Sequence, residues 1–199
     1  MPLVNLYFAP ALLLLVLTCP LWQAGQSLPV MSKGPMTDSC VSYARTLLLN
    51  ITDALTVNNL FSGIDCTKQS MELNIETNTA SVCVPKESKC SGIVQSEFNE
   101  ESCLTNIGKD LHHYYKFLAA QPDPNSLLRP TLLFSLRELM ESCFAWSLPT
   151  DLASEEPAAD HTSSYDDRLS LCKVLKGFQV RTITINRFVA YMNSGEHTK

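Results

Sequence analysis

The side chains with the most reactive potential in this chain are its cysteines. Eight occur in 199 residues, and metal ligation competes with cross-linking for their chemistry. Zinc sites need paired thiolates at short spacing; no CxxC pair occurs, and "CVPKESKC", Cys83 to Cys90, has a spacing suited to a disulfide loop. Histidine offers no better ligand set. His112 and His113 are adjacent and on a helix would diverge by about 100°, while His161 and His197 fall in polar stretches. HExxH, GxSxG and phosphate-cradling Gly loops are all missing. The expectation is therefore no catalytic site, no metal and no cofactor, with the thiols oxidised.

Oxidised thiols imply export, and the N-terminus agrees. "LYFAPALLLLVLTCPLWQAGQS" is a long uncharged apolar run followed by small residues, which reads as a secretory leader over residues 1–27, shorter in its apolar core than a spanning helix. Residues 28–199 then form one domain, secreted, with no membrane insertion once the leader is cleaved. Cys19 leaves with the leader, so seven cysteines remain: Cys40, Cys66, Cys83, Cys90, Cys103, Cys143 and Cys172. An odd number in an exported chain leaves at least one thiol free or bridged to another chain. The net charge of −5 is mildly acidic without a basic cluster, which excludes a nucleic-acid footprint. Asn50-Ile51-Thr52 is a glycosylation sequon.

Four helices can position these groups, and no strand is convincing. The first starts at Thr37 or Asp38, either of which can cap it, and runs to about Asn59 with Ala44, Leu48, Ile51 and Leu55 inward; Asn50 falls with Thr46 and Asp53, away from the core. The second runs from "NEESC" to about Ala120 with Leu104, Ile107, Leu111, Tyr115 and Leu118 inward, and "QPDPN" ends it. The third spans about Arg129 to Ser147, and the fourth about Tyr165 to Asn193, ended by Ser194 and Gly195. The connections are long, short and long: about 40, about eight and nearly 20 residues. Parallel neighbours need overhand crossovers and antiparallel ones a tight turn, so this spacing predicts an all-α, up-up-down-down four-helix bundle, the topology of the helical cytokines, with a plain up-down bundle with decorated loops as the alternative.

The last helix carries a second signal. Leu171, Leu175, Phe178, Ile185, Val189 and Met192 form a core stripe at spacings of three and four. The opposite side carries Val180, Ile183, Thr184, Arg187 and Tyr191 where a solvated face should be charged. Arg and Tyr among aliphatic residues is the composition of an interface centre. The rival reading, a secreted helical carrier or inhibitor holding a small ligand in its core, would keep that back face polar.

The segment "LSLCKVLKGFQVRTITINRFVAYMN", with the lead-in from Tyr165 to Cys172, closely resembles the last helix of the interleukin-12 alpha-subunit family; "SCLTNIGKDLHHYYKF", "LRELM" and "VCVPKE" resemble its second helix, third helix and first crossover. The resemblance implies an up-up-down-down long-chain four-helix cytokine bundle, a secreted alpha subunit that pairs with a soluble, receptor-like beta subunit of immunoglobulin and fibronectin domains. Such a pair signals through cell-surface receptor chains on lymphoid cells, with immune activation and an interferon-gamma-type response. It further implies that Arg187 plugs a pocket of the beta subunit and meets an acidic residue there. Arg181, Thr184 and Tyr191 would be neighbouring contacts beside Val180 and Ile183. A further Arg of the family falls on Gln179, and the aromatic that opens the helix and faces the receptor falls on Tyr165.

The family also implies disulfides between Cys66 and Cys172 and between Cys83 and Cys103. Its usual loop partner for the cysteine at the start of the first helix is missing, and Cys143 stands at the end of the third helix instead. In an up-up-down-down bundle those two ends share a pole and both cysteines face inward. Two assignments are open: Cys40 with Cys143, which is preferred and leaves Cys90 to bridge to the beta subunit, or Cys40 with Cys90 and Cys143 free.

Overall fold

The computed structural model describes residues 36–84, 98–123, 127–145 and 164–196. The expected leader, Cys90 and most of the connection before the last helix lie outside the described residues. Four helices form the body: α1 (Asp38–Thr56), α3 (Glu100–Ala119), α4 (Phe134–Cys143, entered through a π-helical segment Leu128–Leu133) and α5 (Tyr165–Ser194); the short α2 (Thr79–Val82) lies in the first crossover. No strand occurs among the described residues.

Local chemistry accounts for the helix ends. Thr37 accepts from the Cys40 N–H at 3.4 Å and Asn99 from the Ser102 N–H at 2.8 Å, each satisfying a first-turn donor. Ser164 and Asp167 cap each other reciprocally, and Gly195 closes α5 in the left-handed region at φ 70°. The entry to α4 is built differently. The Asp123 carboxylate accepts from the N–H groups of Leu127, Leu128 and Arg129 at 2.7, 3.0 and 2.9 Å, and the next residue, Pro130, has no N–H to satisfy. The helix then stops at Cys143, four residues short of the expected Ser147, because Phe144 turns into the core and Ala145 takes φ 49°.

Pairings across the bundle fix the topology. Asn193 donates to Asp38 at 2.9 Å, Asn186 to the Ala44 carbonyl at 2.8 Å and Gln179 to Thr52 at 3.0 Å; numbers fall on α5 as they rise on α1, so the two are antiparallel. Cys40 bonded to Cys143 and Asn50 donating to the Thr131 carbonyl make α1 and the α4 segment antiparallel in the same way. Phe98 beside Phe188, and Tyr114 stacked on Phe178, set α3 antiparallel to α5. Hence α1 and α3 run one way, α4 and α5 the other: an up-up-down-down helical cytokine bundle.

The centre is filled by Leu47, Ile51, Ile107, Leu111, Tyr114, Leu132, Leu136, Phe178 and Phe188, each 0 or 1% exposed. On α1 the buried stripe passes through Leu47, with Leu48 and Leu55 at its edge. Three disulfides staple the body: Cys40–Cys143, Cys66–Cys172 and Cys83–Cys103.

The first crossover hugs α5. The Glu72 N–H donates to the Lys173 carbonyl at 2.9 Å, Lys176 Nζ donates to the carbonyls of Thr67 and Gln69, and a Cβ on Gly177 would overlap the Glu72 carbonyl. The close approach therefore requires glycine at 177. Helix propensity alone makes Gly177→Ala stabilising by about 1 kcal/mol; the contact with Glu72 reverses the sign, and urea unfolding should show a loss of about 1–3 kcal/mol.

Candidate partner interface on the last helix

α5 spans 30 residues and is gripped along two edges. The hydrogen bonds from Gln179, Asn186 and Asn193 tie one edge to α1; the crossover from Thr67 to Thr77 covers the other. Between them Val180 (40% exposed) and Ile183 (37%) remain uncovered, together with Arg187, which is exposed and makes no hydrogen bond or ion pair with a described residue. Thr184 and Tyr191 are half-buried at the rim, the Tyr191 ring meeting Phe98 edge-on with centroids 5.5 Å apart. Val180, Ile183, Thr184, Arg187 and Tyr191 thus share one side of the helix. Tyr165, half-exposed at 53%, stands at the helix start, about 20 Å along the axis from Val180.

Arg181 does not belong to this face. Expected as a neighbouring partner contact, it is 6% exposed and turned inward. Its Nε lies 3.4 Å from a carboxylate oxygen of Asp110 on α3, and its terminal nitrogen donates to the Asn74 and Thr77 carbonyls at 3.1 and 3.3 Å. Asp110, 0% exposed, also accepts from Asn74 at 3.1 Å, from the Thr77 hydroxyl at 2.6 Å and from Thr79. The inward turn brings the guanidinium to a buried carboxylate, whose removal from water is offset by a cation and several donors. Tyr114 lies beside it, its oxygen accepting from the Asn74 N–H at 3.4 Å, and burial pushes its hydroxyl up to about 12.

Two further positions differ from expectation. Asn50 is half-buried against the start of the α4 segment, its Nδ2 donating to the Thr131 carbonyl at 3.3 Å. Gln179, where the family resemblance places an Arg, is occupied with Thr52. The residues missed by sequence reasoning are Asp110, which reads as a solvated residue of an amphipathic helix, and the crossover apolar residues Met71 (54% exposed) and Ile75 (95%). Ile75 adjoins Asn74, so the Arg181 network holds the backbone that displays it. No helix among the described residues is long and apolar enough to cross a membrane, and no group of His, Cys, Asp or Glu among them is arranged to hold a metal.

An all-helical up-up-down-down bundle stapled by disulfides, with an uncovered Arg-centred stripe on its last helix, has the build of a helical cytokine. Comparison with known proteins makes this specific. Residues 6–195 match the model of the family described as interleukin-12 alpha subunit, and the chain belongs to that family, whose members are cytokine subunits and not enzymes. Among its relatives are the interleukin-12 subunits alpha of Sus scrofa, 24% identical, and of Cervus elaphus and Ovis aries, each 25% identical, with 85% of this chain and 89% of each relative covered.

The ion pair yields two tests. Asp110→Asn leaves the Arg181 charge buried without a counter-ion and should cost about 3–5 kcal/mol in denaturant unfolding, while Asp110→Leu combined with Arg181→Met should recover part of that loss. The raised Tyr114 hydroxyl sets an alkaline limit. Its neutral form is favoured by folding, so that contribution is intact below the unfolded phenol value of about 10 and is lost as pH rises towards about 12. Thermal unfolding followed across that window should show a falling midpoint, less steep in Tyr114→Phe.

Proposed function

We propose that this chain is the secreted alpha subunit of a heterodimeric interleukin-12-type cytokine, exported by the leader at residues 1–27 and paired with a soluble beta subunit of immunoglobulin and fibronectin domains. The supporting observation is the uncovered stripe of α5. Arg187 is a cation without a partner among the described residues, flanked by Val180 and Ile183 and bounded by Thr184 and Tyr191. A planar guanidinium set among apolar and aromatic groups fits a pocket that ends in a carboxylate. Arg181 drops out of this footprint because it is buried, paired with Asp110 and donating to the crossover. Tyr165 is the residue proposed to face a signalling receptor chain on lymphoid cells, and Cys90 the thiol proposed to bridge to the beta subunit.

The carrier reading finds less support. The bundle centre is occupied by packed side chains, Tyr114 against Phe178 among them with ring centroids 4.3 Å apart. The groove lined by Asp38, Val41, Ser42, Arg45, Ala190, Asn193 and Ser194 is an open surface feature between α1 and α5.

Co-expression with beta-type subunits, followed by affinity measurement of the secreted pair, tests the reading. Arg187→Ala should weaken pairing by about 2–4 kcal/mol, roughly 30-fold or more, with the circular dichroism spectrum and unfolding midpoint unchanged. Full-strength pairing of that variant, or efficient secretion of the wild-type chain as a lone monomer indifferent to every beta-type partner, would count against it.

A further inference from the structure

The stripe of Val180, Ile183, Thr184, Arg187 and Tyr191 is too small to be a whole partner site, since a stable protein interface engages roughly 20–30 residues on each side. A partner seated on Arg187 must therefore reach across one edge of α5. The crossover edge carries Glu72 and Glu76, both exposed, and these repel an acidic partner. The α1 edge offers a groove of about 380 Å³ between α1 and α5, lined in part by Arg45, Val41, Ala190 and Ser194. It continues the stripe, because Ala190 and Ser194 follow Arg187 at i+3 and i+7 and so lie on the same side of the helix. Asn186 donates to the Ala44 carbonyl at 2.8 Å, and the residue after each of these is an arginine. Arg187 and Arg45 are thus held at one level of the antiparallel pair; both are exposed, and neither makes a hydrogen bond or ion pair with a described residue.

The charges of the groove are ordered along it. Asp38 precedes Arg45 by two helical turns, about 10 Å along the axis of α1. It is already engaged, accepting from Asn193 at 2.9 Å and standing in the first turn of α1, where a helix favours a carboxylate. Arg45 has no such commitment. We infer that this groove is the second half of the beta-subunit site, where Arg45 receives a carboxylate from a loop of that subunit while Arg187 enters its pocket. The inference rests on the pairing reading and names more of the same site. A guanidinium can take the carboxylate in two parallel hydrogen bonds, and the apolar walls at Val41 and Ala190 exclude water beside it, which strengthens the pair. The Asp38 end repels a second acid, so the loop must present its carboxylate at the Arg187 end. Two cations on neighbouring helices therefore demand two acids at a matching separation, and Arg45 discriminates between beta-type subunits more than it adds affinity.

Pairing kinetics of the full chain with an interleukin-12 beta-type subunit test this, with Cys90→Ser in every variant so that no interchain bridge masks dissociation. Arg45→Ala should lower affinity about fivefold, chiefly through a slower association that depends less on salt, and Arg45→Glu about 30-fold. Arg45→Lys keeps the charge and should keep most of the association rate. The unfolding midpoint should not move in any of them, because the guanidinium contacts no described partner; a merely structural role would move it and leave the salt dependence alone. Should Arg45→Glu fold poorly, Arg45→Ala decides: an association rate with the salt dependence of the wild type overturns the inference. Arg45→Glu pairing within about twofold of the wild type, beside an impaired Arg187→Ala, overturns the groove and leaves the stripe standing. Full-strength pairing of both the Arg45→Glu and Arg187→Ala variants, or no pairing of the wild type with any beta-type subunit, removes the pairing reading and this inference with it.

Discussion

The arrangement of this bundle depends on a buried ion pair. Asp110 and Arg181 sit where α3, α5 and the first crossover meet, and each is almost wholly removed from water. Taking two such ions into a core costs several kcal/mol apiece, which mutual attraction offsets only when the remaining donors and acceptors are also matched. Here the crossover matches most of them: Asn74, Thr77 and Thr79 donate to the carboxylate, and the Asn74 and Thr77 carbonyls accept from the guanidinium, while Arg181 Nε faces Asp110 without a hydrogen bond. The pair therefore does more than join two helices. It gives the polar backbone of a long overhand connection somewhere to end, and an up-up-down-down topology cannot exist without such a connection.

The same crossover is anchored on either side of that centre. Cys66–Cys172 fixes its beginning to α5, and Cys83–Cys103 fixes its end to the start of α3. The contact between Glu72 and Gly177 presses the intervening backbone against the helix. These constraints determine what α5 shows to the outside. One edge is taken by α1, the other by a crossover that cannot drift, and the strip between them, with Val180, Ile183 and Arg187, is left uncovered. A loosely held crossover could fold over that strip and bury its apolar residues internally; the ion pair and two disulfides deny it the slack.

What was legible in the sequence was local. The start at Thr37 or Asp38 and the stop at Ser194 and Gly195 followed from groups that act within one turn, and the bundle topology followed from connection lengths. What was not legible depended on distant partners. Leu47 and Leu48 both fit a stripe running from Ala44 to Ile51, and only the packing of α4 and α5 selects Leu47. Asp123 sits in a Pro-rich stretch that reads as a plain helix stop, yet its carboxylate caps the next helix across residues whose spacing alone does not announce it. Arg181 lies at the margin of the helical wheel between core and back face. Its assignment to the core requires knowing that Asp110 stands opposite, and nothing in the neighbourhood of either residue signals the other.

Arg181 and Arg187, two of the three arginines of α5, show why family position alone is an insufficient guide to an interface. Six residues apart on a helix, Arg181 and Arg187 point about 120° away from each other, so they cannot both serve one flat partner face. Arg181 is committed inside its own chain, paired with Asp110 and donating to two crossover carbonyls. Arg187 has no such partner among the described residues, and an exposed guanidinium beside Val180 and Ile183 gains most from a partner that supplies both a carboxylate and a dry surface. In the proposed pairing, removing Arg181 would act through the crossover that bounds the face and not through a lost contact with the partner. The distinction rests on internal hydrogen-bond accounting, and it applies equally to Gln179, whose amide is engaged with Thr52 and would have to leave α1 to join the interface.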